Sequence, residues 1–356
     1  MSETTGTGRR NRGRLQEAPI DHPAVPSAKV GILLVNLGTP DDTGYWSMRR
    51  YLAEFLSDKR VIDYPAWRWQ PILQLIVLSK RPFSSGAAYR SIWNQTRDEG
   101  PLLTTTRSQT IRLRKRMEAK HGARVVVDFC MRYGNPSTDT AIRRLQAQGC
   151  DRILFLPLYP QYSGAATATA NDHAFRTLMK MKWQPAFRTA PAYYDDPAYI
   201  AALANSVKRA YAGLAQRPDL LVTSYHGVPQ RYLTEGDPYH CQCQKTSRLL
   251  RERLDFTPEE LVVTFQSRFG PEEWLQPYTV EEVARLAREG RKRIAVIAPA
   301  FSADCLETLE EINVEIRDSF IQAGGEEFTY IPCLNDDPDH IDVIEKIVER
   351  EAAGWL

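Results

Sequence analysis

The sequence predicts an α/β protein built from two similar domains, each a parallel sheet flanked by helices. Three observations predict it. Short β-rich runs recur eight times, each followed by a turn and a helical pattern; strand–helix alternation of this kind argues for open parallel sheets. The runs are apolar on consecutive residues, as in Gly31-Ile-Leu-Leu-Val-Asn-Leu37 and Arg293-Ile-Ala-Val-Ile-Ala298. Strands covered on both faces by crossover helices read this way. The runs also fall into two sets of four, divided near residues 195–219.

The first set lies at 30–37, 124–129, 152–158 and 186–190, and the second at 219–225, 260–266, 291–298 and 328–332; residues 339–353 close the chain as a helix. The expected organisation is a tail over 1–28, a first domain over 29–195 and a second over 196–356, with a cleft between the domains. A length of 356 residues suits two such domains. With 43% hydrophobic and 25% charged residues, the composition is that of a globular chain with a substantial core. The net charge of +2 gives no argument for nucleic acid.

Cys130, Cys150, Cys241, Cys243, Cys305 and Cys333 are too scattered for a disulfide framework. They point to a reducing compartment, hence a cytoplasmic protein. The tail carries Arg9, Arg10, Arg12 and Arg14 but no apolar core of the kind a secretory signal needs. A disordered basic tail is preferred to an Arg-rich transit peptide, because Glu3, Glu17 and Asp21 interrupt it.

No window reaches the ~18 apolar residues of a membrane span. The most apolar run, Pro71-Ile-Leu-Gln-Leu-Ile-Val-Leu78, follows Trp67 and Trp69 and precedes Lys80 and Arg81. Aromatics, an apolar stretch and flanking cations suit a segment lying in a membrane interface. A helix buried in the core explains the same run, and both readings stand.

Ligands of open α/β sheets bind beyond the carboxyl ends of the strands. The least core-like residues of this chain cluster there. The strand ends run into Asn36-Leu-Gly-Thr-Pro40, Cys130-Met-Arg-Tyr-Gly134, Pro157-Leu-Tyr-Pro-Gln-Tyr162, Ser224-Tyr-His-Gly-Val-Pro229, Gln266-Ser-Arg-Phe-Gly270 and Pro299-Ala-Phe-Ser-Ala-Asp-Cys-Leu-Glu307. Common alternatives lack their motifs. No G-x-G-x-x-G follows the first strand, and no P-loop, H-E-x-x-H or G-x-S-x-G occurs.

His226 directly follows a buried strand. Near neutral pH an imidazole takes a proton or binds a divalent metal. A lone strand-end histidine is more often satisfied by a backbone carbonyl, but the company of the other strand ends favours function. Glu307 is expected in the first turn of a helix opening after Phe301, capped by Ser302 or Asp304. Asp304, Glu307, Glu311, Glu315 and Asp318 then share one face, with Leu306, Leu309, Ile312, Ile316 and Phe320 roughly opposite. A plain amphipathic helix explains the spacing, and it suffices for Glu315 and Asp318. Glu307 and Glu311 lie nearest the strand-end rim and are read as functional. Such a row could carry protons or cations between cleft and solvent. Cys241 and Cys243 form a C-x-C, but metal sites usually need four ligands, so the reading is a loop with two reduced thiols.

These strand-end motifs closely resemble those of the ferrochelatases over most of residues 29–340. The resemblance rests on Leu34-Val-Asn-Leu-Gly-Thr-Pro40, Arg132-Tyr133, Tyr159-Pro-Gln-Tyr-Ser163, Ser224-Tyr-His-Gly-Val-Pro229, Gly236-Asp-Pro-Tyr239, Gln266-Ser-Arg-Phe-Gly-Pro271 with Trp274, and Phe301-Ser-Ala-Asp-Cys-Leu-Glu-Thr-Leu-Glu-Glu-Ile312. It implies two Rossmann-like domains around a porphyrin cleft, an apolar lip near residues 65–83 resting on a membrane, and insertion of Fe²⁺ into the ring. His226 would be the essential histidine, accepting a pyrrole proton or helping to hold the iron, with Glu307 its carboxylate partner. Asp304 and Glu311 would belong to the acidic path leading away. Arg132 and Tyr133 would line the opposite face of the macrocycle. Leu37, Tyr159, Ser224, Gln266, Ser267 and Trp274 complete the implied substrate-binding set.

Two pyrrole protons must leave as iron enters, so a base must reach the ring. Imidazole is a usual ligand for Fe²⁺. Three departures from the family pattern matter. Cys305 stands where many members carry a second histidine. The chain stops at Leu356 without the cysteine-bearing extension that helps hold an iron–sulfur cluster in animal members, which leaves Cys241 and Cys243 as a minor route to a [2Fe-2S] site. Leu37 replaces the tyrosine typical of coproporphyrin-type members and fits the protoporphyrin type. The competing readings are a non-catalytic tetrapyrrole or metal carrier of the same fold, and a chelatase for coproporphyrin or for another metal. The expected partners are porphyrin, ferrous iron and a membrane surface, not nucleic acid; monomer and homodimer are both compatible with the sequence.

Overall fold

The computed structural model describes residues 28–356, so the expected basic tail over 1–28 lies, but for Ala28, outside the described residues. All eight anticipated strands form. Strands β1 (Lys29–Thr39), β2 (Val125–Gly134), β3 (Cys150–Pro157) and β4 (Ala186–Thr189) make one parallel sheet in the order β2-β1-β3-β4. Strands β5 (Leu220–His226), β6 (Leu261–Gln266), β7 (Arg293–Ile297) and β8 (Glu327–Ile331) repeat that order as β6-β5-β7-β8, again parallel. The runs are uniformly apolar because both faces are covered: Ile32, Leu33, Leu34 and Val35 are all fully buried on consecutive positions.

Each half places its first strand between the second and third, so the chain reverses direction across the sheet at β1/β3 and at β5/β7. At such a switch point adjacent crossovers leave on opposite faces and open a crevice at the carboxyl ends of the strands. The two crevices face each other. Glycine is required at the first: Gly38 sits at φ 121°, and a Cβ there would lie 1.9 Å from the Tyr133 carbonyl oxygen of β2.

Beside a further cluster confined to each half, one hydrophobic cluster spans both halves. It runs from Ile32, Leu34 and Val127 through Leu203 and Val207 to Leu221, Ile297 and Ile344. The last helix, Pro338–Glu351, crosses back onto the helix Pro101–His121 of the first half. Glu345 there receives Arg116 at 2.9 Å and Lys120 at 2.6 Å.

That last helix carries a fully buried imidazole. His340 hydrogen-bonds the Asn335 carbonyl through Nδ1 at 2.6 Å, and burial pushes its pKa down to about 4 against that bond's opposing pull. The unfolded chain takes up the proton near pH 6.5 and the folded one only near 4. The stability held by neutral His340 is therefore complete above about 6.5 and drains away as pH falls through that window. Urea titrations at pH 7 and 5 are expected to differ by roughly 2 kcal/mol more in the native protein than in His340→Asn. An identical pH dependence in both proteins would contradict this.

Candidate active site

A cavity of about 1200 Å³, including its open mouth, separates the two halves at the switch points. Its walls come from the ends of β1, β3, β5 and β7, together with Tyr51 and Phe55 from the helix Tyr45–Leu56. The lining is mainly apolar and aromatic, with Leu37, Val61, Val228 and Trp274 among its members and only a few ionisable groups. A large apolar cavity with a few convergent polar groups suits a hydrophobic small molecule.

His226 ends β5 and lines this cavity. Its Nδ1 lies 2.7 Å from the Gly227 carbonyl oxygen. A carbonyl only accepts, so Nδ1 carries the hydrogen and Nε2 keeps a free lone pair. The backbone carbonyl thus satisfies one nitrogen and thereby fixes the other as a base or ligand. The tight turn behind the ring depends on Gly227, where a Cβ would approach the Gln266 carbonyl oxygen to 2.8 Å and the Trp274 ring to 3.0 Å.

Glu307 faces the same cavity. The α-helix expected after Phe301 does not form there. Residues 301–305 are irregular, and Glu307–Ile316 is a π-helical stretch that continues as an α-helix over Arg317–Gln322. Such wide turns are rare and occur frequently at functional sites. Behind Glu307, Glu311 accepts from the Ser267 backbone at 2.7 Å, from Ser267 Oγ at 2.5 Å and from Gln266 Nε2 at 3.2 Å. Burial raises the Glu311 pKa against the Ser267 bonds and the pull of His226, and the negative charge of Glu307 adds to the rise. Glu315 and Asp318 are exposed. The carboxylates therefore grade from cavity to solvent through Glu307, Glu311 and Glu315.

Asp304 does not belong to that row. Both of its oxygens are occupied: it accepts from Tyr330 OH, from Thr308 Oγ1 and the Cys333 backbone at 3.2 Å, and from Asn335 Nδ2 at 2.7 Å. It ties the irregular segment to the loop after β8, and neither it nor Ser302 caps a helix.

Of the anticipated substrate-binding residues, Leu37, Tyr159 and Trp274 line the cavity. Ser224, Gln266 and Ser267 sit behind its wall: Ser224 Oγ donates to Gln266 Oε1 at 2.6 Å, and Gln266 Nε2 donates to the Glu307 carbonyl at 2.8 Å. Arg132 and Tyr133 lie outside the cavity. Arg132 is clasped by Asp58, by Thr169 Oγ1 at 2.7 Å and by His173 Nδ1 at 3.2 Å, and Tyr133 OH donates to Asp58 at 2.9 Å. The physical reason is strand order. Arg132 and Tyr133 lie at the end of β2 just before Gly134, and Gln266 ends β6 with Ser267 directly after it; these strands flank each switch point.

Tyr51, Phe55, Tyr89 and Tyr232 line the cavity and were not singled out in the sequence. They lie on connecting helices, where an aromatic reads as ordinary core. Cys241 and Cys243 occupy not a loop but the helix Tyr239–Leu254. Two residues apart on a helix, they point to opposite sides: Cys241 is exposed, and burial pushes the Cys243 thiol up. Among the described residues no group of three or more His, Cys, Asp or Glu side chains could hold a metal. His226 and Glu307 are the one imidazole and the one carboxylate among the residues lining the cavity.

Fold and cavity define a chelatase-type protein: twin parallel sheets whose switch points enclose an apolar cavity bearing one imidazole and one carboxylate. Two solved structures share the fold, SirB from Bacillus subtilis with Fe³⁺ (TM-score 0.53, 14% identity, 91% of this chain and 96% of that one) and the cobalt complex of the sirohydrochlorin chelatase SirB from Bacillus subtilis subspecies spizizenii (TM-score 0.50, 11% identity, 92% and 97%). The chain belongs to the ferrochelatase family, whose model matches residues 29–352. It is 67% identical over 343 residues to the ferrochelatase of Rhodobacter capsulatus, covering 96% of this chain and 98% of the relative. It is 58% identical over 342 residues to that of Agrobacterium fabrum, covering 96% and 99%.

Proposed function

We propose that the protein is a ferrochelatase of the lyase class that inserts Fe²⁺ into protoporphyrin IX, releasing two protons and forming protohaem in the last step of haem biosynthesis. The observation that carries this reading is the free Nε2 of His226 sharing one apolar slot with Glu307. The reaction is Fe²⁺ plus the free-base porphyrin giving haem and two H⁺, so a base must stand over the ring. His226 Nε2 takes a pyrrole proton, and Glu307 and Glu311 pass protons outward towards Glu315. Burial makes Glu311 a weaker acid than an exposed carboxylate and so better able to hold a proton in passing. Binding energy from the aromatic walls can hold the ring bent, which opens it to the metal. The apolar Leu37 in the lining favours protoporphyrin over the more acidic coproporphyrin.

The test is anaerobic mixing of the protein with Fe²⁺ and either protoporphyrin IX or coproporphyrin III, followed by absorbance. Haem from protoporphyrin is expected. A protein that binds protoporphyrin tightly and returns it without metal would be a carrier, and one that turns over only with Co²⁺ or with coproporphyrin would be the corresponding other chelatase.

The protein is further proposed to sit in the cytoplasm and rest on the inner face of the membrane through its lip. No helix of the described residues is long and apolar enough to cross a membrane. The run over 65–83 divides its faces between the two roles foreseen for it: Trp69, Leu73 and Leu78 are buried, whereas Trp67 and Leu75 are 72 and 76% exposed, with Ile76 and Phe83 beside them. Residues 64–97 contain Arg68, Lys80, Arg81, Arg90 and Arg97 and no acidic residue. An apolar face ringed by cations fits an anionic lipid surface. Sedimentation with phosphatidylglycerol vesicles should exceed that with phosphatidylcholine, and Trp67→Asp/Leu75→Asp should weaken it at least about ten-fold. Unchanged binding of that variant would remove the lip from the contact.

A further inference from the structure

We propose that Asn335 is a positioning residue for Glu307, acting through a two-way clasp with Asp304; the catalytic half of this proposal rests on the ferrochelatase reading. The segment from Phe301 to Glu307 forms one wall of the cavity yet has no regular structure before the π-helical turn. Its placement must therefore come from outside. Asn335 supplies it. Its Oδ1 accepts the Asp304 backbone N–H at 2.8 Å, and its Nδ2 donates to Asp304 Oδ2 at 2.7 Å. Side chain and main chain of one residue are thus held by the two ends of a single amide.

The backbone of Asn335 is itself pinned. Its carbonyl accepts from Gln109 Nε2 at 2.8 Å and faces His340 Nδ1 at 2.6 Å. Gln109 also donates to the Ser302 carbonyl at 3.3 Å, next to the clasp. The helix Pro101–His121 and the last helix thereby fix Asn335, and Asn335 fixes the wall carrying Glu307. Asn335 adopts φ 46°, the left-handed region in which asparagine and glycine are the favoured residues. In this arrangement Asp304 is an anchored side chain with both oxygens committed, and on the proposed reading the proton path begins at Glu307.

Two variants test this. Asn335→Gly keeps the left-handed backbone and its carbonyl bonds but deletes both halves of the clasp. It should fold, bind protoporphyrin with a KM within about three-fold of native, and lose about ten-fold in kcat, because a catalytic group displaced by a fraction of an ångström loses rate rather than binding. Amide exchange read by mass spectrometry should rise over residues 303–309 and stay native in β7 and β8. That readout does not depend on catalysis, so it separates failure of the clasp from failure of the functional reading. Asn335→Asp keeps the acceptor but sets a carboxylate against Asp304. A shared proton can restore the clasp only at low pH, so the kcat of this variant relative to native should fall as pH rises. Native kcat in Asn335→Gly, unchanged exchange over 303–309, or a pH-independent ratio for Asn335→Asp would each overturn the proposal.

Discussion

His226→Ala is expected to lower kcat for haem formation by at least about 100-fold while protoporphyrin still binds. The separation follows from the geometry. Binding rests on the apolar and aromatic lining, in which the imidazole is one group among many. In the proposed reaction the chemistry rests on a lone pair at Nε2, which is left free when Nδ1–H is spent on the Gly227 carbonyl. Alanine removes the base and leaves the slot. Anaerobic single-turnover absorbance gives the rate, and fluorescence quenching of the free porphyrin gives the binding. His226→Gln places an amide in the same space and should be nearly as slow, since an amide takes up no proton near neutral pH. Haem formation at the native rate in His226→Ala would remove the imidazole from the mechanism and leave the fold and the family untouched.

The sequence allowed the strands to be located because burial on both faces leaves no choice of residue: eight apolar runs became eight strands, with boundaries within two residues except at β2, which runs five residues past its expected end to Gly134. Strand order is less visible. The ends of β2 and β6 carry residues as polar and distinctive as those of β1 and β5, but only the orders β2-β1-β3-β4 and β6-β5-β7-β8 reveal that Arg132 stands on a flank and His226 at a switch point. The π-helical stretch leaves no trace in a pattern read at 3.6 residues per turn. Ile312, Ile316 and Phe320 are buried as an ordinary amphipathic helix would bury them, yet the first turn of that helix is missing and Asp304 falls away from the carboxylate row. Tyr51 and Tyr89 were invisible for the opposite reason: aromatics on connecting helices are ordinary core residues until the cavity they face is known.

The second large effect concerns stability. Arg132→Met is expected to destabilise the fold by about 3–5 kcal/mol, with little change in KM for porphyrin in the molecules that remain folded. Arg132 and Asp58 side chains are each only 7% exposed, and among the described residues the guanidinium is the one cation bonded to that carboxylate. Burial alone would raise the Asp58 pKa; the Thr169 hydroxyl, the Arg60 backbone N–H, Arg132 and Tyr133 together hold it below its usual value. Methionine fills the space of the stem but leaves a buried carboxylate without its counter-ion, so the Asp58 pKa moves up from its native position although the Thr169 hydroxyl and the Arg60 backbone N–H still bond it. The pH dependence distinguishes this cause from simple loss of packing. The native protein gains stability from ionised Asp58 above the ordinary carboxylate pKa and loses it on acidification, whereas the variant should recover stability relative to native as pH falls and Asp58 becomes neutral. Asp58→Asn/Arg132→Met should accordingly cost less than the sum of its single changes, because no charge is left stranded. Urea titrations of the four proteins at pH 7 and at about pH 3, on either side of the ordinary carboxylate pKa, decide the matter. Full native stability of Arg132→Met, together with a large rise in KM, would instead place the guanidinium on the substrate.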